Sequence, residues 1–202
     1  MRVISGSAKG KKLATVKGTG IRPTADKVKM ALFNVLQHGV INFNFEGCTT
    51  LDMFSGSGSL GIESLSRGSE FCFFLDVSRE SHLVCKKNLQ NCGFSDLSEH
   101  VLMDIRRKKP FFIEKKFDLI LADPPYGKEY LVNILEFVTR NDLLKSDGIL
   151  VIEDDVRSEL ELNNNFKLIE KKNYGKTQLI FLIPNWVYYV DRLIERTFVL
   201  LK

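Results

Sequence analysis

The stretch from Thr49 to Arg67 constrains the fold more than any other: an apolar strand (Thr49–Met53), a turn built on Gly56 and Gly58, and a helix over Leu60–Arg67. In such a unit the glycines let backbone approach a ligand, and the first helical amides face its polar end. The same rhythm continues downstream. Phe71–Asp76 is an apolar strand, and Ser78 caps a helix that runs to Cys92 with Gly93 as its stop. Val101–Met103 and Phe117–Ala122 read as strands, Tyr130–Arg140 as a helix with Leu131, Ile134, Leu135 and Val138 on one face, and Ile149–Glu153 as another strand. Strands that are nearly all apolar, alternating with helices, predict an α/β fold whose mostly parallel sheet is covered on both faces. Lys167–Tyr174 and Thr177–Leu182 flank Gly175-Lys176 as a hairpin, which adds one antiparallel strand and brings the expected sheet to seven.

Ahead of this series, residues 2–22 pair two short β-prone stretches around Gly6 and Gly10 and predict a β-hairpin with a mobile, glycine-rich connection. Pro23-Thr24 offers an N-cap. Val28, Ala31, Leu32, Val35 and Leu36 then recur at helical spacing as far as His38-Gly39, a helix expected over the sheet edge or the cofactor mouth. The chain thus divides into a basic arm (1–22), a cofactor-binding domain (23–183) and a tail (184–202) with apolar residues at 187, 190, 194 and 198. The tail's stripe is compatible with packing on the domain, with contact to a partner, and with neither.

The net charge of +4 is unevenly spread: residues 1–30 hold eight Lys and Arg against Asp26 alone, a balance of +7 that leaves −3 for the rest. Arg2, Lys9, Lys11, Lys12 and Arg22 in such a cluster suit a polyanion, whose phosphates reward each cation by counterion release. A solvated arm would have the same composition. No run approaches the roughly 20 apolar residues of a membrane-spanning helix, and the basic N-terminus lacks a signal peptide's apolar stretch, so a soluble, cytoplasmic protein is expected. Cys48, Cys72, Cys85 and Cys92 form no CxxC pair, which predicts free thiols and no metal site.

Gly56-Ser57-Gly58-Ser59-Leu60-Gly61 matches G-x-G-x-x-G, and Asp76 follows Gly56 by twenty positions at the tip of the next strand. A carboxylate there accepts hydrogen bonds from ribose hydroxyls, as either an NAD-dependent dehydrogenase or a methyltransferase requires. Asp52 separates the two. Four residues ahead of Gly56, it would repel a pyrophosphate but suits the cationic methionyl ammonium of S-adenosylmethionine. Phe54, Gly56, Gly58 and Gly61 complete the cofactor turn, and Asp104 after the third strand can accept from an adenine amino group. The fourth strand then delivers Asp123-Pro124-Pro125-Tyr126 at its carboxyl end, where open α/β sheets bind ligands.

An exocyclic base amine is a poor nucleophile because its lone pair is delocalised into the ring. An enzyme must hold the nitrogen in line and accept its N–H bonds, so that the lone pair turns toward the methyl donor. Asp123 and the Pro124 carbonyl supply acceptors, Pro125 stiffens the turn, and Tyr126 offers a face on which an extruded base can stack.

With these residues in view the chain resembles the RsmD family of bacterial methyltransferases acting on guanine N2 of 16S ribosomal RNA. The resemblance runs over about residues 1–182 and is carried by Arg2-Val3-Ile4-Ser5-Gly6, Lys9-Gly10-Lys11-Lys12-Leu13, Arg22-Pro23-Thr24-Ala25-Asp26-Lys27-Val28, Leu32-Phe33-Asn34, Leu51–Glu63, Ser66-Arg67-Gly68, Asn88-Leu89 and Asp123–Tyr126. It implies a Rossmann-like class I methyltransferase fold, a guanine acceptor, an RNA-contacting hairpin, and Arg22 and Thr24 near the methionine end of the cofactor or the target base. The expected partner is 16S rRNA in a small ribosomal subunit or assembly intermediate, met by a monomer. Ala8 and Met30 depart from the family's usual aromatic and acid. A DNA amino-methyltransferase shares both motifs but needs room for target recognition, an NAD-dependent oxidoreductase leaves Asp123–Tyr126 unexplained, and a non-catalytic RNA-binding module leaves the cofactor turn without use.

Overall fold

A computed structural model of the chain describes residues 1–16, 23–107, 115–125, 128–159 and 162–185, with the backbone alone for residues 23–25, 128 and 129. The elements are α1 (Pro23–His38), β1 (Thr49–Met53), α2 (Ser59–Ser66), β2 (Phe71–Asp76), α3 (Arg79–Cys92), β3 (Ser98–Leu102), β4 (Phe117–Ala122), α4 (Lys128–Arg140), β5 (Leu144–Asp155), β6 (Phe166–Tyr174) and β7 (Thr177–Pro184). They build one seven-stranded sheet in the order β3-β2-β1-β4-β5-β7-β6. Pairings from β3 through β5 are parallel, and β7 runs antiparallel to both β5 and β6. This is the mostly parallel sheet with one reversed strand that the alternation of elements predicts.

Strand alternation divides the core. On one face, Leu51, Met53, Phe73, Leu75, Ile120, Leu150 and Ile152 pack under the apolar stripe of α4. On the other, Val28, Leu32, Phe33 and Leu36 of α1 lie over Leu119, Leu121, Val151, Leu179 and Phe181. Helix α1 therefore covers the middle of a sheet face, not its edge, because its stripe has β4, β5 and β7 to cover. It also starts at Pro23, a residue favoured in a first helical turn, so Thr24 lies inside the helix and not at the cap. The Ser78 hydroxyl accepts the Ser81 amide at 3.2 Å and Gly93 closes α3 with φ +81°, as the sequence suggests.

The arm pairs with itself in the antiparallel sense, as the expected hairpin requires: the Val3 amide donates to the Lys11 carbonyl at 3.0 Å and the Leu13 amide to the Met1 carbonyl at 3.1 Å around the Arg2–Lys12 bridge, although residues 1–16 contain no regular strand. Its other partners are elsewhere in the fold. Val3, Ala8 and Leu13 share a core with Ile62 and Leu65 of α2, Cys85 and Leu89 of α3, and Cys72 and Phe74 of β2. Ala8 is buried there, whereas Met30 is half exposed on α1. The glycine-rich connection after residue 16 lies outside the described residues, as does the tail from residue 186. All four cysteines are free thiols, and among the described residues no helix is long and apolar enough to cross a membrane.

Candidate active site

The sheet order changes direction at β1, which pairs with β2 on one side and β4 on the other. The carboxyl ends of β1 and β4 flank the resulting crevice, where open α/β sheets receive ligands. The Asp123 amide donates to the Met53 carbonyl at 3.4 Å across it, so the two motifs singled out from the sequence meet there.

The turn after β1 owes its shape to three contacts. The Ser55 amide donates to the Leu75 carbonyl, the Gly58 amide to the Ser55 carbonyl, and the Gly56 amide to Asp76 Oδ2 at 2.8 Å. Phe54 enters the turn with φ +59°, a conformation that costs a bulky residue about 1–3 kcal/mol and marks functional turns. Its ring meets Tyr130 of α4 edge-on, with centroids 5.5 Å apart.

The glycines have separate tasks. A Cβ on Gly61 would strike the Phe74 ring and come within 2.6 Å of Cys72 Sγ, so this glycine lets α2 lie close on β2. Gly58 has φ +79°, and its Cβ would strike Cys85 of α3. Among the described residues a Cβ at Gly56 would meet only the Phe54 carbonyl, 3.9 Å away, so of the three glycines of this turn it is the one with room beside it, as a ligand-bearing turn requires.

Carboxylates dominate the electrostatics. Asp52 is 1% exposed, and its Oδ2 accepts the Gly61 amide at 2.8 Å. Burial pushes its carboxyl well above the usual carboxylate range, and the charges of Asp123 and Asp76 push the same way against the Gly61 hydrogen bond. Asp76 accepts from Gly56 through one oxygen and from Ser78 through the other, each at 2.8 Å, which ties the turn to the start of α3. Asp123 is exposed at the rim, with Pro124 buried and Pro125 exposed beside it. Among the described residues the buried Ser55 hydroxyl has no hydrogen-bond partner. A crevice of this kind suits a cationic ligand that carries hydroxyl donors, and it opposes a pyrophosphate.

The crevice thus assembles Asp52, Phe54, Gly56, Asp76, Asp123 and Pro124. Asp104 sits beyond β3 with its carboxylate forked by Arg106 at 2.9 and 2.8 Å, which holds it below the usual range. The Arg106 guanidinium lies 5.6 Å from the centre of the Tyr130 ring, so Phe54, named for the site from the sequence, is joined by Tyr130 and Arg106, which were not. Arg22 and Tyr126 lie outside the described residues, and Thr24 is described only in its backbone. Arg2, Lys9, Lys11 and Lys12 are all exposed on the arm.

Two buried polar residues that hold the arm lie in segments that carry the resemblance, but sequence patterning assigned them no role. Glu63, fully buried in α2, accepts the Ile4 amide at 2.7 Å, the Ser5 amide at 3.0 Å and Arg67 Nε at 3.0 Å, with Lys29 Nζ 3.8 Å away. The signal was an acid enclosed by Leu60, Ile62 and Leu65. Asn88 of α3, also fully buried, bonds to Ala14 of the arm and to Ser57 of the turn. Nothing in its flanking sequence distinguishes it from a solvated helix residue.

Residues 1–183 match the model of a family described as Conserved hypothetical protein 95. The chain is 38% identical over 180 residues to the "Putative rRNA methyltransferase YlbH" of Bacillus subtilis, covering 88% of this chain and 95% of that protein. It is 31% identical over 180 residues to the Ribosomal RNA small subunit methyltransferase D of Haemophilus influenzae, covering 87% and 89%. Among solved structures, the "Putative methyltransferase yhhF from Escherichia coli" superposes with a TM-score of 0.75 at 25% identity, over 91% of this chain and 97% of that one. The matched span takes in the arm, the glycine turn, the Asp-Pro-Pro-Tyr segment and the reversed strand alike, and the chain belongs to the RsmD family of class I methyltransferases.

Proposed function

We propose that this protein transfers a methyl group from S-adenosylmethionine to the exocyclic N2 of a guanine in 16S rRNA, acting as a cytoplasmic monomer on the small ribosomal subunit or an assembly intermediate. The observation that carries the reading is the meeting of Asp123-Pro124 with the Asp52–Gly56 turn across the β1/β4 crevice. Support for the substrate comes from relatives named as small-subunit rRNA methyltransferases.

The residues present fit the donor. Among the described residues, the room beside Gly56, the Ser55 hydroxyl without a partner and three neighbouring carboxylates suit a cation with ribose hydroxyls. When bound, S-adenosylmethionine supplies a methyl group on a positively charged sulfur, which an amine lone pair can displace. Asp76 would hold the ribose and Asp52 the methionyl ammonium, directly or through water. Asp123 and the Pro124 carbonyl accept the N–H bonds of the guanine amine and so turn its lone pair toward the methyl group. Asp123 stands at the exposed rim, where a base arriving from solvent meets it first.

The test incubates the protein with labelled S-adenosylmethionine and undermethylated small subunits, naked 16S rRNA or duplex DNA, then identifies the labelled nucleoside. Label in N2-methylguanosine of 16S rRNA is expected. Label on DNA alone, or on another base position, would overturn the substrate, and absence of both transfer and cofactor binding would overturn the enzyme. Asp123→Ala should lower transfer at least about 10²-fold with cofactor affinity nearly unchanged, whereas Asp76→Ala should weaken cofactor binding. Equal loss of cofactor binding in the two variants would contradict this division of roles.

A further inference from the structure

Residues of the arm and of the cofactor turn meet at the Asn88 side chain, beside a weaker direct contact in which the Ser57 hydroxyl donates to Met1 Sδ at 3.9 Å. Asn88 sits two-thirds of the way along α3 and is completely buried. Its Oδ1 accepts the Ala14 amide at 2.8 Å, and its Nδ2 donates to the Ala14 carbonyl at 2.9 Å, so the carboxamide pairs with Ala14 as one peptide group pairs with another. The same Nδ2 donates to the Ser57 carbonyl at 2.9 Å. Both amide donors are committed, one to each segment.

Ser57 lies between Gly56 and Gly58, both at positive φ. Glycine on either side gives the central peptide groups of the turn little torsional resistance of their own. Their orientation is set by outside contacts: Asp76 on the Gly56 amide, and Asn88 on the Ser57 carbonyl. Gly58 rests against Cys85, one helical turn before Asn88, so the turn is seated twice on α3. Below this point the arm is fastened to α2 through Glu63 and Ser66, and Lys29 Nζ donates to the Arg2 carbonyl at 2.8 Å.

We propose that Asn88 is a positioning residue that couples RNA engagement by the arm to the cofactor-receiving shape of the turn. Resting on the RNA-methyltransferase reading above, it predicts that each ligand tightens the other. RNA held on Lys9, Lys11 and Lys12 favours the docked arm over its transient release, the seated Ala14 holds the Asn88 carboxamide, and the carboxamide holds the Ser57 carbonyl. Because linkage is reciprocal, cofactor bound on the turn strengthens RNA binding by the same factor.

Equilibrium dialysis of labelled S-adenosylhomocysteine, with and without saturating undermethylated small subunits, reads the coupling directly. In the wild-type protein the subunits should tighten S-adenosylhomocysteine binding by about tenfold, within the usual range for linked sites. Asn88→Ala should reduce that gain to less than about twofold. Asn88→Asp keeps the acceptor for the Ala14 amide but loses both donors; nearly isosteric, it should lose the coupling even if the alanine variant fails to fold. Leu89→Ala removes apolar packing from the same helix without touching these bonds, and should lower stability while preserving the gain. Independent binding of the two ligands to wild-type protein would overturn the coupling and leave the methyltransferase reading standing, whereas failure to bind S-adenosylhomocysteine at all would overturn that reading. A gain retained in both Asn88 variants, or lost equally in Leu89→Ala, would also overturn the proposal.

Discussion

Asp52 illustrates how one carboxylate serves both fold and ligand. Its Oδ2 satisfies the Gly61 amide inside the first turn of α2, yet burial raises its carboxyl well above the usual range. The folded state therefore prefers the proton. The stability this gives is complete below the ordinary aspartate value of about 3.9 and is lost as pH rises through the raised folded value, at about 1.4 kcal/mol per unit between the two. Asp52→Asn offers the same acceptor to Gly61 without the charge. In the absence of cofactor its stability should be flatter than the wild type's from mildly acid to neutral pH, and higher at neutrality. Urea melts of both proteins across that range check this, and parallel curves would contradict it. Since a bound cation favours ionised Asp52, the variant should also bind S-adenosylmethionine more weakly despite its greater stability.

The elements that could be read from sequence are those whose packing is periodic. β2 and β4 are apolar runs because both their faces are covered, and α3 carries its cap and stop within its own sequence. β5 was legible only in part. It begins at Leu144, but Lys145-Ser146-Asp147-Gly148 reads as a turn; the register slips from Phe117–Leu144 to Leu119–Ile149, and the slip absorbs those residues. The arm's self-pairing was legible, but its docking was not. Beyond the bonds within the arm, it bonds to residues about sixty positions away, such as Ile4 to Glu63, and local patterning carries no trace of partners at that distance. Glu63 is central to this docking, since Lys29 and Arg67 beside it are only 3% and 6% exposed. Glu63→Gln keeps the shape but leaves two buried cations without their anion, and should cost about 3–5 kcal/mol. It should also open the arm to trypsin at Lys9, Lys11 and Lys12 under native conditions. Unchanged melting and unchanged cleavage would mean that the buried charges do not fasten the arm.

At the scale of the molecule, docking turns a basic arm into a fixed surface. The arm lies on α2 and α3 and presents Arg2, Lys9, Lys11 and Lys12 to solvent from a platform that the core holds. A substrate that reaches Asp123 while touching these lysines must extend over the α2 side of the molecule, which suits a structured RNA better than a small acceptor. Replacing Lys9, Lys11 and Lys12 with Ala should weaken RNA binding and reduce the slope of log affinity against log salt by about 2–3, one phosphate contact for each lysine. Titrations at several salt concentrations measure this, and an unchanged slope would place the RNA elsewhere.

The docking of the arm also fixes an order of events during synthesis. Residues 1–14 are made before Glu63, Ser66 and Asn88, which receive them, and the core that Val3, Ala8 and Leu13 join is completed by Phe94. The arm therefore seats only after the segments that hold it have been made, when the turn that it supports already exists.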